Sequence, residues 1–267
     1  MSQAISQTEV TDLDVVVHVE GPALWLRLNR AEALNSLTYT VIEQLHAGLD
    51  RAEADAEVKC VILTGGGRAF CAGADLKDVN DSTEGSNRFR SLLGVLLDRI
   101  ETFHKPVIAA VNGLALAGGL ELILCCDLVL AAESARIGDG HSNYGLLPGG
   151  GASVRLPRIV GRNRALFMFY TGNLFPAADL ERWGLVNQVL PDAELDQAAN
   201  ALVSKLAEKS PLGIERMKRL VRETAEQPAA TGLSLELLYS ALHEKSHDMI
   251  EGVRAFTEKR RPDFNGS

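Results

Sequence analysis

Residues 105–127 decide the fold class, and they read KPVIAAVNGLALAGGLELILCCD. A proline stands near the start, and the apolar run Val107–Val111 that follows is typical of a buried strand. Two glycines then begin a second apolar run, Gly118–Cys125, which we predict to be a helix. Residues 106–132 together are long enough to cross a bilayer, but their glycines and acidic side chains favour a buried strand–turn–helix–strand instead.

Short apolar runs and helical patterns alternate on both sides of this stretch. Thr40 and Glu43 have the spacing of a capping box, and apolar residues then recur on one helical face as far as Leu49. The predicted strands lie at residues 14–20, 23–29, 59–64, 107–111 and 128–132, and further helices are predicted at 87–102 and 118–125. This alternation predicts an α/β fold with mostly parallel strand pairing.

Helical patterns dominate the sequence after Gly149. An apolar stripe runs from Leu195 to Leu206, and further helices are predicted near residues 211–226 and 233–257. We therefore expect a frayed N-terminus at residues 1–12, an α/β core at 13–190 and a C-terminal helical region at 191–267. The apolar faces of that helical region need a partner surface, for which a second subunit is one candidate.

Composition narrows the classes of partner. The 267 residues carry 27 basic and 35 acidic side chains, a formal net charge of −8. Such a chain has no general attraction for nucleic acid or anionic membranes, and we expect neither as a partner. The four cysteines have no CxxC spacing, which favours neither a disulfide framework nor a cysteine zinc site. The first 20 residues lack the apolar segment of a secretory signal, so a cytoplasmic protein is expected.

The glycine pair at the start of the predicted helix 118–125 has chemical consequences. Gly118 and Gly119 let a ligand approach the backbone closely, and the first N–H groups of a helix stabilise a developing oxyanion. Glu121 lies one turn further on, inside an otherwise apolar run. Its carboxylate is either salt-bridged or raised in pKa for acid–base work, and the spacing leaves both alternatives open.

A second glycine-rich segment, residues 65–76, reads GGGRAFCAGADL and follows a predicted buried strand. It lacks the Lys-Ser/Thr of a phosphate-binding P-loop and has no GxGxxG pattern. The segment can expose backbone N–H groups to a ligand, but it could equally be an ordinary surface loop.

Together these segments resemble the enoyl-CoA hydratase/isomerase, or crotonase, family. The resemblance rests on five stretches in order along the chain: residues 29–37 (NRAEALNSL), 61–76 (VILTGGGRAFCAGADL), 105–127, 145–161 (GLLPGGGASVRLPRIVG) and 251–264 (EGVRAFTEKRRPDF). It implies a spiral of ββα units whose C-terminal helices mediate formation of a homotrimer, often a dimer of trimers.

The resemblance also implies a site. The N–H groups of Ala74 and Gly118 would form an oxyanion hole for the thioester oxygen of an acyl-coenzyme A. The coenzyme A would bend around the loop formed by Ala72, Gly73, Ala74, Asp75 and Leu76, with its adenine near Ala72. Coenzyme A is then part of the substrate, and no separate cofactor or metal is expected.

Two basic residues are candidates for contacting the phosphates of coenzyme A. By their position in the family pattern they are Arg30 and Lys259, and Lys259 could reach the site from a neighbouring subunit. Arg30 could equally be a solvated surface charge.

One position departs from the family pattern. Family hydratases use two glutamates to align one water molecule; the first matches Glu121, and the second falls at His141. An imidazole can still donate or accept a proton near neutral pH, so His141 is a candidate catalytic residue. It could instead only shape the pocket, and Asp139 is close enough in sequence to substitute for the missing carboxylate.

Two other short stretches match known catalytic motifs only in part. The match to HExxH at residues 243–247 lacks a third zinc ligand. Residues 140–144 (GHSNY) resemble a GxSxG nucleophile elbow but end in tyrosine. We predict neither a zinc site nor a serine hydrolase.

The leading hypothesis is hydration of a 2-enoyl-CoA thioester through an enolate stabilised by Ala74 and Gly118. Glu121 would activate the water, and His141 would assist at the α-carbon. Within the same family the alternatives are a double-bond isomerase and a C–C lyase. From another class, the chain could be a catalytically silent acyl-CoA binder or an assembly subunit.

Overall fold

The computed structural model describes residues 13–79 and 83–267. The expected frayed segment, residues 1–12, lies outside that range. The strands of the described chain are β1 (Val15–Glu20), β2 (Ala23–Leu28), β3 (Cys60–Gly65), β4 (Ala69–Cys71), β5 (Val107–Val111), β6 (Leu114–Leu116), β7 (Leu128–Ala132), β8 (Arg136–Gly138), β9 (Phe175–Pro176) and β10 (Gln188–Leu190).

The helices of the described chain fall into two groups, one among the strands and one after them. They are α1 (Tyr39–Ala54), α2 (Leu76–Val79), α3 (Thr83–Thr102), α4 (Gly118–Cys125), α5 (Ala152–Val160), α6 (Arg162–Thr171), α7 (Ala177–Arg182), α8 (Leu195–Ala207), α9 (Pro211–Thr224), α10 (Ala229–His243) and α11 (His247–Glu258).

Two sheets organise these strands. The larger has six strands in the order β1-β2-β3-β5-β7-β10, and all its pairs except β1–β2 are parallel. The smaller has four strands in the order β4-β6-β8-β9, of which only β8–β9 is antiparallel. The chain therefore alternates between the sheets, placing β3, β5 and β7 in the first and β4, β6 and β8 in the second. Each such strand pair with the helix after it is a ββα unit, as the resemblance implied.

The apolar runs bury their side chains in one core. Every residue of β3 and of β5 is buried, which explains why their sequences are continuously apolar rather than alternating. Leu195, Ala199 and Val203 of α8 are also buried, and α8 packs on the larger sheet over β3, β5 and β7. At least the first helix after residue 190 is therefore packed on the core.

Residues 106–132 form β5, β6, α4 and β7, so the buried alternative is confirmed, except that the expected turn contains the short strand β6. In the part of the chain that the structure describes, no helix combines the length and apolarity needed to span a membrane.

Three sequence predictions need correction. Helix α1 is capped by Thr38, whose Oγ1 accepts the Val41 N–H at 3.1 Å, and not by a capping box at Thr40 and Glu43. Helix α3 begins at Thr83, about one turn before the predicted start. The predicted helix at 233–257 is two helices, because Ser246 caps a new one by accepting the Met249 N–H at 3.2 Å.

Candidate active site

The candidate site lies at the carboxyl edge of the smaller sheet. Strands β4, β6 and β8 are parallel neighbours, so their carboxyl ends meet at one edge. Residues 72–75 follow β4, residues 117 and 118 follow β6, and residues 139–141 follow β8. The predicted residues Ala74, Gly118 and His141 thus come together although they are far apart in the sequence.

The backbones at Ala74 and Gly118 lie side by side. A bridge to Leu37 fixes the first segment, since the Leu37 N–H donates to the Gly73 carbonyl at 2.8 Å and the Asp75 N–H donates to the Leu37 carbonyl at 2.9 Å. A methyl group on Gly118 would lie 3.6 Å from the Ala74 nitrogen. Neither the Ala74 N–H nor the Gly118 N–H donates to an acceptor within the described residues, so both are available to a ligand.

Ala117 turns the chain from β6 into α4 in an unusual conformation. Its φ of 51° and ψ of −113° are strained for a residue with a Cβ atom, a cost of about 1–3 kcal/mol. The surrounding hydrogen bonds hold it there: its N–H donates to the Gly138 carbonyl at 3.2 Å, and its carbonyl accepts the Glu121 N–H at 3.0 Å. The Gly118 N–H consequently stands at the positive end of α4.

Glu121 is buried, with 2% of its surface exposed. Its Oε1 atom accepts the N–H groups of Gly150 at 2.6 Å and Ala152 at 3.3 Å. Burial raises the pKa of the Glu121 carboxyl, and it outweighs these two bonds and the nearby His141, which lower it. Glu121 has no salt bridge within the described residues, and its raised pKa is the one that the acid–base alternative requires. Its part in catalysis stays a prediction.

The loop before α5 orients this carboxylate. Gly151 is the N-cap of α5 and has a φ of 100°. The Ala152 N–H is the first of α5, where an anion is favoured, and the Gly150 N–H lies just before the cap. Arg155 braces the loop by donating from Nη1 to the Gly150 carbonyl at 2.8 Å. The same guanidinium donates to Glu101 Oε2 from Nε at 3.0 Å and from Nη2 at 2.6 Å. Glu121 is thus held by a chain of contacts that begins at Glu101 on α3.

His141 is close enough for the charge of Glu121 to act on its ring, and the ring is held by Asp139. The ring Nδ1 atom lies 2.9 Å from Asp139 Oδ1, and the His141 backbone N–H donates to Asp139 Oδ2 at 3.3 Å. Burial opposes a charge on the ring, but the hydrogen bond to Asp139 and the negative charges of Asp139 and Glu121 outweigh it. The pKa of His141 is therefore raised above its ordinary value of 6.5.

One pocket of about 220 Å³ connects these groups. Ala74, Gly118, Glu121 and His141 all line it, and so do Ala72 and Leu76 of the predicted coenzyme A loop. Much of the remaining wall is apolar and includes Phe89, Leu93, Leu116, Leu146 and Leu147. An apolar pocket with a few convergent polar groups is the usual form of a small-molecule site.

The other predicted binding residues do not line this pocket. Arg30 donates to the Ser36 carbonyl at 2.7 Å and to Asp75 Oδ2 at 3.1 Å, so its charge is paired inside the chain. Together with other hydrogen bonds, this contact offsets burial and lowers the pKa of the Asp75 carboxyl. Gly73, Asp75, Arg30 and Lys259 are not among the described residues that line the pocket. Phosphate contacts by Arg30 or Lys259 stay predictions.

Sequence reasoning missed the groups that hold Glu121. They are the N–H groups of Gly150 and Ala152 and the Arg155–Glu101 ion pair. A signal was present, because three glycines at 149–151 precede an amphipathic helix, which is a second place where backbone N–H groups can meet an anion. The sequence did not show that the anion bound there is the Glu121 carboxylate, because Glu121 is 29 residues away from Gly150.

The two motifs set aside have structural explanations. His243 ends α10 and His247 begins α11, so the HExxH match is not on one helix. Among residues 13–79 and 83–267, no group of three or more His, Cys, Asp or Glu side chains is arranged to hold a metal ion. Residues His141–Tyr144 form a single 3₁₀ turn rather than a strand-to-helix elbow.

The sequence is similar to a known protein family and to named enzymes. A family model described as enoyl-CoA hydratase/isomerase matches residues 21–267. The chain is 37% identical to the 1,2-epoxyphenylacetyl-CoA isomerase of Escherichia coli K12, over 94% of this chain and 98% of that one. It is also 37% identical to the 2,3-dehydroadipyl-CoA hydratase of the same organism, over 95% and 99%.

A solved structure is similarly close. The enoyl-CoA hydratase from Bacillus anthracis superposes with a TM-score of 0.90 at 35% identity, covering 95% of this chain and 100% of that one. The chain therefore belongs to the enoyl-CoA hydratase/isomerase family and has its crotonase fold.

Proposed function

We propose that this chain adds water across the 2,3-double bond of an enoyl-CoA thioester, or removes it in the reverse direction. One observation carries the proposal: two free backbone N–H groups, of Ala74 and Gly118, and the Glu121 carboxylate border the same pocket. Membership of the family and a relative named as a hydratase support it.

The thioester oxygen would accept the N–H groups of Ala74 and Gly118. Both donors are fixed before substrate arrives, by the Leu37 bridge and by the turn at Ala117, so no reorganisation is needed when negative charge develops. Polarising the thioester withdraws electrons from the conjugated double bond and makes the β-carbon electrophilic. The coenzyme A itself would follow the loop of Ala72, Gly73, Ala74, Asp75 and Leu76, with Arg30 and Lys259 as candidates near its phosphates.

Glu121 would activate the attacking water. Its Oε1 atom is occupied by Gly150 and Ala152, whereas Oε2 has no partner within the described residues and borders the pocket. A carboxylate whose pKa is raised by burial is a stronger base than one in water, which suits removal of a proton from water as the oxygen bonds to the β-carbon. His141 would then supply the proton that the α-carbon of the enolate requires.

Mass spectrometry in water labelled with oxygen-18 tests the proposal. Purified protein is incubated with a panel of 2-enoyl-CoA esters of increasing chain length, and the products are analysed as intact thioesters. Hydration gives a product heavier by one labelled water. A rearranged product of unchanged mass, or no product at all, would contradict the proposal.

Isomerisation of the double bond is the second candidate, because the matching family model is described as enoyl-CoA hydratase/isomerase. It needs only a single acid–base group to move a proton between C2 and C4, and either Glu121 or His141 could serve. Conversion of a 3-enoyl-CoA into its conjugated isomer without label from water would identify this activity. Binding of esters without any product would indicate the catalytically silent acyl-CoA binder, and C–C cleavage would release a shortened thioester.

We also propose that the chain assembles as a homotrimer or a dimer of trimers through the region 191–267. Large apolar side chains are exposed on its helices: Leu233, Leu237, Leu238, Leu242 and Phe256 are between 57% and 86% exposed. Exposed apolar surface of this extent marks an interaction site. Light scattering during size-exclusion chromatography measures the mass directly, and a monomer at micromolar concentration would contradict the proposal.

A further inference from the structure

Among the described residues, the Asp139 side chain forms hydrogen bonds only with His141, and its negative charge also acts on Glu121. Asp139 follows β8, is 1% exposed, and is not among the described residues that line the pocket. Both of its carboxylate oxygens accept from His141, Oδ1 from the ring at 2.9 Å and Oδ2 from the backbone N–H at 3.3 Å. No lysine or arginine within the described residues pairs with it.

This arrangement determines which ring nitrogen faces the pocket. A carboxylate only accepts hydrogen bonds, so the proton between the two side chains lies on Nδ1 of His141. The Nε2 atom is then the atom left for the pocket, which His141 lines with 12% of its side chain exposed. Gly140, at a φ of 67°, makes the turn that brings the ring back over the Asp139 carboxylate.

We propose that Asp139 is a positioning residue, which fixes the tautomer of His141 and stabilises its imidazolium so that Nε2–H is the proton donor to the α-carbon. This inference rests on the proposed hydration. The second carboxylate of the family's pair is thereby replaced by an imidazole with a buried carboxylate behind it.

The step balances in protons and charge. The water oxygen bonds to the β-carbon while Glu121 Oε2 takes its proton, and the electrons of the double bond move into the enolate held by Ala74 and Gly118. The Nε2–H proton of His141 passes to the α-carbon, which leaves neutral His141 and protonated Glu121. Transfer of that proton from Glu121 to His141 restores the starting state without change in net charge.

The charged groups near the His141 ring favour its protonated form. Besides Glu121, the ionisable side chains described on the pocket wall are Arg90 and Tyr144, and neither forms a hydrogen bond with the ring. Asp139 and Glu121 are therefore the charges that act most directly on His141. Both are acidic and both favour the imidazolium.

Asp139 could instead have a purely structural role, and a substitution distinguishes this alternative from the proposed one. The bond from the His141 N–H to Asp139 Oδ2 spans two residues, as in a turn stabilised by an aspartate side chain. Asp139→Asn retains an oxygen that can accept this N–H but removes the negative charge. A structural role would survive the substitution, whereas stabilisation of the imidazolium would not.

The experiment compares pH profiles of Asp139→Asn with those of the parent chain. In the parent, kcat falls as the pH rises through the raised pKa of His141, because the donor is lost. In Asp139→Asn we expect this fall at lower pH, with kcat reduced on the order of 100-fold and KM within about threefold. The matched control is Asp192→Asn, because Asp192 also accepts a backbone N–H, from Ser134 at 3.0 Å, but lies at an exposed turn.

Nitrogen-15 NMR of the histidine rings gives a second readout that needs neither turnover nor the Asn variant. The His141 signal is assigned by its loss in His141→Gln. We expect an Nδ1-protonated neutral ring and a titration midpoint above the ordinary 6.5. A midpoint at or below 6.5, an Nε2-protonated ring, or an Asp139→Asn profile like that of Asp192→Asn would overturn the inference. Failure of hydration alone would contradict the proposed function and leave this titration to decide the role of Asp139.

Discussion

The Gly150 N–H donates to Glu121 Oε1 over 2.6 Å, and this contact joins α4 to the loop that precedes α5. It leaves Oε2 as the oxygen that borders the pocket. Because the orientation of the carboxylate depends on this loop, catalysis should be sensitive to changes in the loop and in the side chain that braces it.

Gly150→Ala should impair catalysis by crowding. A methyl group at Gly150 would lie 2.6 Å from both Glu121 Oε2 and Leu97 Cδ1, so the carboxylate or the loop must move. We expect kcat for 2-enoyl-CoA hydration to fall at least about 10-fold, and the melting temperature to fall as well. Steady-state kinetics and differential scanning calorimetry measure the two effects.

Gly94→Ala is the matched control for that change. Gly94 lies within α3, and a methyl group there would meet nothing within 4 Å. Because alanine favours a helix by about 1 kcal/mol over glycine, this variant should be slightly more stable with unchanged kinetics. Equal kinetics in the two variants would contradict the role assigned to Gly150.

Arg155→Met should lower kcat more than it raises KM. The substitution removes the brace from Glu101 to the Gly150 carbonyl without touching the pocket's oxyanion donors. We expect kcat to fall about 10-fold, since Glu121, the proposed base, is displaced rather than lost. Arg158→Met is the control, because Arg158 pairs on the surface with Glu226, and such pairs contribute at most about 1 kcal/mol. A similar kcat in both variants would argue against the brace.

Gly73→Ala should disrupt the proposed oxyanion hole. The residue has a φ of 94°, and a methyl group would lie 3.0 Å from Ala117 Cβ and 3.2 Å from the Gly118 nitrogen. Loss of one oxyanion donor typically costs about 100-fold or more in rate, and we expect a loss of that order. Gly21→Ala carries the same kind of backbone strain at a φ of 54° but has open space around it. It should lose stability and keep its rate, and a comparable rate loss in both would contradict the prediction.

The cysteine thiols should resist alkylation in the folded protein. Burial raises the pKa of Cys60, Cys71 and Cys125 to about 12, so almost no thiolate is present at neutral pH. Treatment with iodoacetamide followed by mass spectrometry should show no adduct on these residues until the chain is unfolded in denaturant. Rapid labelling of Cys71 in the native state would contradict the burial of β4.

Long apolar segments were predictable from the sequence, and short strands were not. The bounds of β5, α4 and β7 match the prediction, because proline, glycine and acidic residues punctuate runs long enough to show a pattern. Strands β4, β6 and β8 have three residues each, too few for an alternation to be visible. These are the strands that align the site, so its assembly was implied by the resemblance rather than by local pattern.

The details of the site depend on contacts between distant residues. The pairing of Arg30 with Asp75 spans 45 positions, and it engages an arginine that the resemblance suggested for phosphate binding. The Asp139–His141 contact is local, but it requires a left-handed turn at Gly140, and a glycine in a sequence does not reveal which conformation it adopts. The break between α10 and α11 was readable in principle, because Ser246 is a suitable N-cap residue.

Glu121→Gln tests the central claim most directly. The variant keeps an oxygen that can accept the N–H groups of Gly150 and Ala152, while it removes the proposed base from the pocket that Ala74 and Gly118 also line. We expect hydration of crotonyl-CoA to fall at least about 1,000-fold, with calorimetric affinity for butyryl-CoA, the saturated ester, within about threefold of the parent. Glu53→Gln, at an exposed ion pair with Arg99, should leave both unchanged. Crotonyl-CoA turnover by Glu121→Gln equal to that of the parent chain would contradict the account.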